Sequence, residues 1–382
     1  MKVNHTERKH AKLSASSSAK WLNCPGSINA EKGYKNESSI YANEGTLAHE
    51  LADLCLKTGN NTDFYIGKTV DETDALIDAE MAIYVQEYVD YVLSHETSNS
   101  CLFTEEKVSF DNVVPDGFGT MDAAIIDDNT SVCHVFDLKY GRGVKVSAIE
   151  NTQAQLYAIG MLNELGFLDA IKSFRLHIVQ PRINNIEYWD ITCTDLIKFG
   201  EFVKERATLA LSDNAKRVPG HKQCQWCRAK SDCKVLYNFT KEIVSSDFEN
   251  LEDIDINVLN DNDKKNILDN KSLVELFLKS IESNVFETLI SGKKFKGYKI
   301  VKGRSIRKWT DEAEPFLFKK LKSKAFEKKL IGITKAKTVL SKEDIEKLTY
   351  KPEGKLTLAN EKDKRKAVEA SNNLFENIEG EI

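Results

Sequence analysis

The chain has 382 residues, 41% of them apolar, and carries 59 acidic against 54 basic side chains for a net charge of -5. That length can bury a substantial core in two or three structural units. The acidic balance excludes a general affinity for polyanions, so any contact with nucleic acid has to come from local basic surface. The N-terminal stretch MKVNHTERKHAKLSASSSAKW lacks an apolar signal region, and no later run is long enough to cross a bilayer. A soluble, cytoplasmic protein without membrane contact is expected, and its eight cysteines belong to a reducing compartment, where clustered thiols bind metal more often than they pair.

In chain order, residues from Ser14 to about Leu93 are expected to be mostly helical: EGTLAHELADLCLK and DALIDAEMAIYVQEYVDYVL carry apolar residues at helical spacing. Strands follow in CLFTEEKVSF, GTMDAAIID and SVCHVFDLKY, separated by the turn-rich DNVVPDGFG and DDNT, the pattern of an antiparallel meander. SAIENTQAQLYAIGMLNELG returns to helix, and SFRLHIVQPR with NIEYWDIT forms a second pair of strands. The fold class expected is an α/β core with a mixed central sheet flanked by helices, followed by an α+β extension. A core over residues 1–240, with a helical insertion at about 40–95, is expected to precede a charged, mostly helical region over 241–382. The acidic DFENLEDIDINVLNDNDKKN serves as linker.

Chemistry concentrates in the middle. In HVFDLKYGRG, the period of two along a strand puts Asp137 and Lys139 on one face and Phe136 and Leu138 on the other. One strand earlier Asp122 interrupts an apolar segment, where an ionised carboxylate is costly unless it is paired or holds a cation. Two carboxylates on neighbouring strands form a hard-oxygen site suited to magnesium or manganese. Gln153 and Tyr157, at i and i+4, can project over the same strand end. Taken singly, each has a plainer reading: D-x-K as a surface ion pair, Tyr157 and His49 as packing residues, Glu50 as a solvated acid.

In HKQCQWCRAKSDCK the cysteines Cys224, Cys227 and Cys233 follow a C-x2-C-x5-C spacing. Three thiolates are one short of the four that a closed metal site takes. His221 in the same stretch offers a local zinc site as one solution. Cys55, Cys101, Cys133 and Cys193 lie in apolar segments and are assigned to packing.

His49, Asp122, Asp137-x-Lys139 and Gln153-x3-Tyr157, in that order, resemble the RecB-type branch of the PD-(D/E)XK (restriction-endonuclease-like) nucleases. The cysteines resemble the iron–sulfur members of that branch, such as Cas4 and the AddB nuclease domain, in which one cysteine precedes the nuclease motifs and three follow. On that resemblance Cys24, in SASSSAKWLNCPGS, is the fourth ligand of a [4Fe–4S] cluster with Cys224, Cys227 and Cys233. WLNCPGS, EGTLAHELA, FDLKYGRGV, GKKFKGYKIVKGRSIRKWTD and KPEGKLTLANEKDKRKAV together resemble DUF2800, a phage and prophage family, over nearly the whole chain.

The resemblance implies a metal-dependent deoxyribonuclease of the exonuclease kind, acting in phage DNA recombination, replication or repair beside a single-strand DNA-binding or annealing protein. His49, Asp122, Asp137 and the Leu138 carbonyl would hold the cation, Lys139 would act on the attacking water, and Gln153 and Tyr157 would position the strand. A catalytically silent DNA-binding scaffold with a structural iron–sulfur or zinc site is the alternative. Between Ser291 and Trp309 there are eight basic residues and no acidic one. A β-hairpin with one charged face, presenting Lys299, Lys302, Arg304 and Arg307 to DNA, is expected there, with Tyr298 and Trp309 stacking on bases.

Overall fold

The computed structural model describes residues 11–34, 40–69, 75–127, 130–164, 171–245, 261–301 and 341–349. The chain divides into two compact units, Met1–Val301 and Lys302–Ile382. In the second, the described residues hold one short helix, Lys342–Leu348.

The first unit begins with two short helices, α1 (Ser18–Asn23) and α2 (Ser27–Ala30), followed by α3 (Ile40–Thr58) and α4 (Ala79–Leu93). Strands β1 (Ser100–Ser109), β2 (Phe118–Asp127) and β3 (Val132–Leu138) come next. Then α5 (Thr152–Glu164) crosses to β4 (Ser173–Gln180), β5 (Asn185–Thr192) and α6 (Cys193–Leu211). The unit ends with α7 (His221–Gln225), α8 (Lys234–Ser245) and α9 (Asp261–Ile290).

The sheet has the order β1-β2-β3-β4-β5. β1, β2 and β3 form the expected antiparallel meander, with Ala124 opposite both Phe103 and Val135. β3 and β4 run parallel, joined through α5, and β5 returns antiparallel to β4. A parallel neighbour needs a crossover of a dozen or more residues, which is why α5 sits between β3 and β4. This is a mixed five-stranded sheet flanked by helices.

Two apolar layers cover its faces. On one, α1, α5 and α6 pack Trp21, Leu156 and Val203 against Met121, Val135 and Leu176. On the other, α3 and α4 pack Leu51, Val85 and Val92 against Ile125, Phe136 and Leu138. α4 buries Met81, Ala82, Val85, Tyr88, Val89 and Val92, a stripe at helical spacing. Its start is set by Asp78, whose carboxylate accepts the Met81 amide at 2.7 Å. Each large apolar side chain fully removed from water contributes roughly 1.5–3 kcal/mol, and Trp21, Phe110, Phe136 and Phe174 all reach that state. α5 is buried almost all round, and a side chain at its Gly160 would meet the Val108 side chain at 2.7 Å. The helix thereby lies close enough to β1 to position Gln153 and Tyr157.

Three expectations are modified. The first compact unit runs to Val301, well past residue 240, because Leu273 and Phe277 of α9 pack with Leu236 and Cys224. Most of the expected acidic linker lies outside the described residues, and its last residues already belong to α9. Cys55 and Cys133 are buried as expected, but Cys101 is exposed, because β1 is the edge strand of the sheet.

Candidate metal and cysteine sites

At the C-terminal end of β3, side chains from four elements converge. His49 of α3 lies with Nδ1 3.1 Å from Oδ1 of Asp122 on β2. The other Asp122 oxygen accepts the Leu138 amide at 2.7 Å. Leu138 therefore meets the cluster through its N–H. Glu105 of β1 completes the group, and donor atoms of His49, Glu105 and Asp122 all lie within 4.8 Å of one another.

Asp137 is 1% exposed and faces Lys139, whose ammonium lies 2.7 Å from Oδ2. That oxygen is close to the ammonium without hydrogen-bond geometry, and the bond proper goes to Oδ1 at 3.1 Å. Lys139 donates further to Gln153 Oε1 at 2.9 Å, and Gln153 Nε2 donates to Tyr157 Oη at 3.0 Å. Asp137, Lys139, Gln153 and Tyr157 thus form one polar chain beside the His49, Glu105 and Asp122 group.

Electrostatics divides the carboxyls. Burial pushes Glu105 up to about 7, with Asp122 adding to the effect. Burial likewise raises Asp137, and Asp122 reinforces it against Lys139. Burial acts on Asp122 in the same direction, but His49 and Lys139 outweigh it and hold this carboxyl below its usual range. His49 is raised because Asp122 overcomes the burial that would lower it. Among the described residues the buried Tyr88 hydroxyl has no hydrogen-bond partner, and burial followed by the charges of Asp122 and Asp137 raises it well above its ordinary value. Crowded carboxyls beside an imidazole, with two under-satisfied oxygens, form a donor set that a divalent cation fits.

Glu105 escapes the sequence reading because TEEK on β1 resembles any solvated edge strand. Its backbone shows why it enters the site: φ is 48°, in the left-handed region. The strand register passes from Thr104 opposite Ala123 to Glu106 opposite Met121, leaving Glu105 and Asp122 out of the ladder. Left-handed backbone at a non-glycine residue carries a strain of about 1–3 kcal/mol that the surrounding structure has to maintain.

The second site joins the two ends of the first unit. Cys24, Cys224, Cys227 and Cys233 all line one enclosed cavity, with Arg217, Lys230 and Leu236. Cys24 follows α1, and its sulfur accepts the Val218 amide at 3.2 Å. Burial raises the thiols of Cys24, Cys224 and Cys227, the last to about 11. His221 is exposed at the start of α7 and is not among the residues lining the cavity. A single zinc ion, with Zn–S bonds near 2.3 Å, draws its sulfurs to about 3.8 Å of each other. Among the described residues no three of these sulfurs come within 4.8 Å of one another.

Buried charge holds the clasp. Glu31 accepts both Lys20 (2.7 and 2.8 Å) and the Arg228 amide (2.8 Å), tying α1 and α2 to the Cys227 loop. Burial would raise Glu31, but Lys20 and Arg228 outweigh it and keep the carboxyl ionised. Gly26 lets the segments touch: its amide donates to the Lys216 carbonyl at 2.9 Å, and an added Cβ would lie 2.6 Å from the Ala215 carbonyl oxygen. Backbone cannot retreat as a flexible side chain does. Gly26→Ala is therefore expected to destabilise the protein by roughly 1–3 kcal/mol, read as a lowered midpoint in thermal or urea unfolding.

Of the expected nucleic-acid contacts, Lys302, Arg304 and Arg307 lie outside the described residues, as does Trp309. Lys299 is exposed. Residues 291–301 form turns and irregular backbone, so the described half of the expected hairpin contains no strand. Gly292 and Gly297, both at positive φ, supply the turns. Among the described residues no helix is long and apolar enough to cross a membrane.

Comparison with known proteins places this geometry in context. A solved structure described as "Crystal structure of SSO0001" aligns with 60% of this chain and 90% of its own, at 17% identity and a TM-score of 0.32. The family described as "Protein of unknown function (DUF2800)" matches residues 10–366, a span that includes both the carboxylate group and all four cysteines of the clasp. The chain belongs to the DUF2800 family.

Proposed function

We propose that this protein is a divalent-metal-dependent DNA nuclease of the PD-(D/E)XK, RecB-like type, with an iron–sulfur clasp. The observation that carries the reading is the convergence of His49, Glu105, Asp122, Asp137 and Lys139 at one strand end, with Lys139 bridging Asp137 to Gln153. Hydrolysis of a phosphodiester needs a cation site, a positioned proton acceptor and a positive group for the charge that develops on phosphorus.

His49, Glu105, Asp122 and Asp137 are the residues that would hold the cation. When bound, magnesium or manganese supplies Lewis acidity to the scissile phosphate and lowers the pKa of a water molecule. Lys139 orients that water and neutralises developing charge on the phosphate oxygens. Gln153 fixes the Lys139 ammonium from the other side, and Tyr157 fixes Gln153. An imidazole among the carboxylates favours manganese relative to an all-oxygen site.

The cavity of Cys24, Cys224, Cys227 and Cys233 would hold a [4Fe–4S] cluster, joining the chain on either side of the sheet. Zinc is the competing occupant. DNA exposed as single strands by such an enzyme would be a substrate for an annealing or single-strand-binding partner.

The test is purified protein with end-labelled single- and double-stranded DNA, with and without magnesium or manganese. Cleavage that requires the ion supports the reading, and its absence on both substrates with both ions ends it. Glu105 is expected to matter as a ligand. Glu105→Gln should raise the manganese concentration for half-maximal cleavage roughly tenfold or more, whereas an unchanged requirement would remove Glu105 from the ligand set.

A further inference from the structure

We propose a second metal site, separate from the carboxylate group and from the cysteines, in which His95, His134 and His177 bind a late transition ion of the zinc or cobalt type. The three residues come from three elements: His95 just after α4, His134 on β3 and His177 on β4. Donor nitrogens, one from each ring, all lie within 4.8 Å of one another.

The hydrogen bonds around the rings prepare them as ligands. His95 Nδ1 lies 2.8 Å from the Tyr91 carbonyl, an acceptor only, so this nitrogen carries the proton and Nε2 keeps its lone pair. His177 Nδ1 lies 3.0 Å from the Tyr91 hydroxyl, and its Nε2 lies 3.0 Å from His134 Nδ1. One residue, Tyr91, thus orients two of the three imidazoles, through its carbonyl and through its hydroxyl. Ligating histidines use their second nitrogen in this way.

The 3.0 Å separation of the His177 and His134 nitrogens is near the roughly 3.4 Å between two nitrogens on a tetrahedral ion with Zn–N bonds of about 2.1 Å. The proton now shared between those rings would be displaced by the ion. His177 is fully buried and stacked on Phe136 at 4.3 Å, which fixes its plane. His95 and His134 are partly exposed, leaving a path for the ion and a fourth position for water.

The charged neighbours permit it. Arg175 faces the group but is held by both Asp190 oxygens at 2.7 and 2.9 Å, and Asp127 and Asp190 add negative field at His134. Burial lowers His134 to about 4 and His177 to about 2, with neighbouring imidazoles adding to the effect, so both rings are neutral in neutral solution. Three imidazoles without a carboxylate select zinc, cobalt, nickel or copper over magnesium. An ion here would brace the end of α4 against β3 and β4, away from the Asp137 end of β3.

Cobalt(II) added anaerobically to the full-length protein tests the site. Beyond any cobalt at the carboxylate group, the expected product holds one further ion, lost in His95→Gln, with the visible bands of a tetrahedral nitrogen–oxygen shell and no sulfur-to-cobalt charge-transfer band. His95→Gln should weaken that binding at least 100-fold. Tyr91→Phe, which keeps the ring and removes only the hydroxyl on His177, should weaken it roughly tenfold. A thermal melt without metal checks that both variants fold, and each should lose the rise in melting temperature that cobalt gives the wild type. Spectra and affinities identical to wild type in both variants would overturn the proposal, as would cobalt bands that all carry thiolate charge transfer. Unchanged DNA cleavage in His95→Gln is expected, since the residue lies outside the carboxylate group.

Discussion

Asp137→Ala is expected to lower metal-dependent DNA cleavage by on the order of 1,000-fold or more, and Lys139→Ala to do nearly the same. Both residues belong to one unit: Asp137 holds the Lys139 ammonium at 2.7 Å, and the same ammonium reaches Gln153 at 2.9 Å. Without Asp137, the lysine loses the partner that fixes it and the strand end loses a carboxylate. Without Lys139, the buried carboxylate loses its positive neighbour, and burial together with Asp122 favours its protonated form further. Members of a cooperating unit are strongly non-additive, so the double variant should be little worse than either single one. Asp137→Asn, nearly the same in shape, separates chemistry from folding: its melting temperature should stay close to wild type while cleavage is lost. Wild-type cleavage by Asp137→Ala would end the nuclease reading and leave the scaffold alternative standing.

Cys24→Ser is expected to produce the largest change in stability. Anaerobically purified wild-type protein should be brown, with iron and sulfide near four per chain, and the variant should lose most of both. Ligation by Cys24 and Cys233 closes a loop of about two hundred residues, a restraint equivalent to about 5 kcal/mol of chain entropy in the unfolded state. Loss of that restraint should lower the melting temperature by roughly 5–10 °C. The neighbouring Glu31 and Gly26 contacts still hold α1 and α2 near Lys216 and Arg228, so the variant is expected to fold but to unfold at lower denaturant. Colourless protein carrying one zinc, indifferent to Cys24→Ser and emptied by His221→Ala, would assign the metal to the local stretch instead.

What the sequence alone determined lies within short windows. Runs of β-branched and aromatic residues bounded by turn residues placed β1 to β5 to within about two residues, because both signals are local to the segment. The period of two along a strand put Asp137 and Lys139 on one face, and the i, i+4 rule put Gln153 beside Tyr157, where they hydrogen-bond. Cys24 was different: no local spacing connects it to Cys224, and only the likeness of its surroundings to iron–sulfur nucleases suggested the pairing.

The tertiary structure decided what depends on register and crossing. Glu105 joins His49 and Asp122 because its left-handed backbone interrupts the β1–β2 ladder, and a single φ angle leaves no trace in composition. His95, His134 and His177 are dispersed over more than eighty residues and meet because β3 and β4 pair in parallel, with Phe136 opposite His177. Cys101 opens an apolar run in sequence and is exposed because it lies near the start of β1, at an edge of the described sheet. Local pattern specifies which side chains turn inward; which of them meet is fixed by strand order, and strand order is set by the long-range packing of α5 and the two apolar layers.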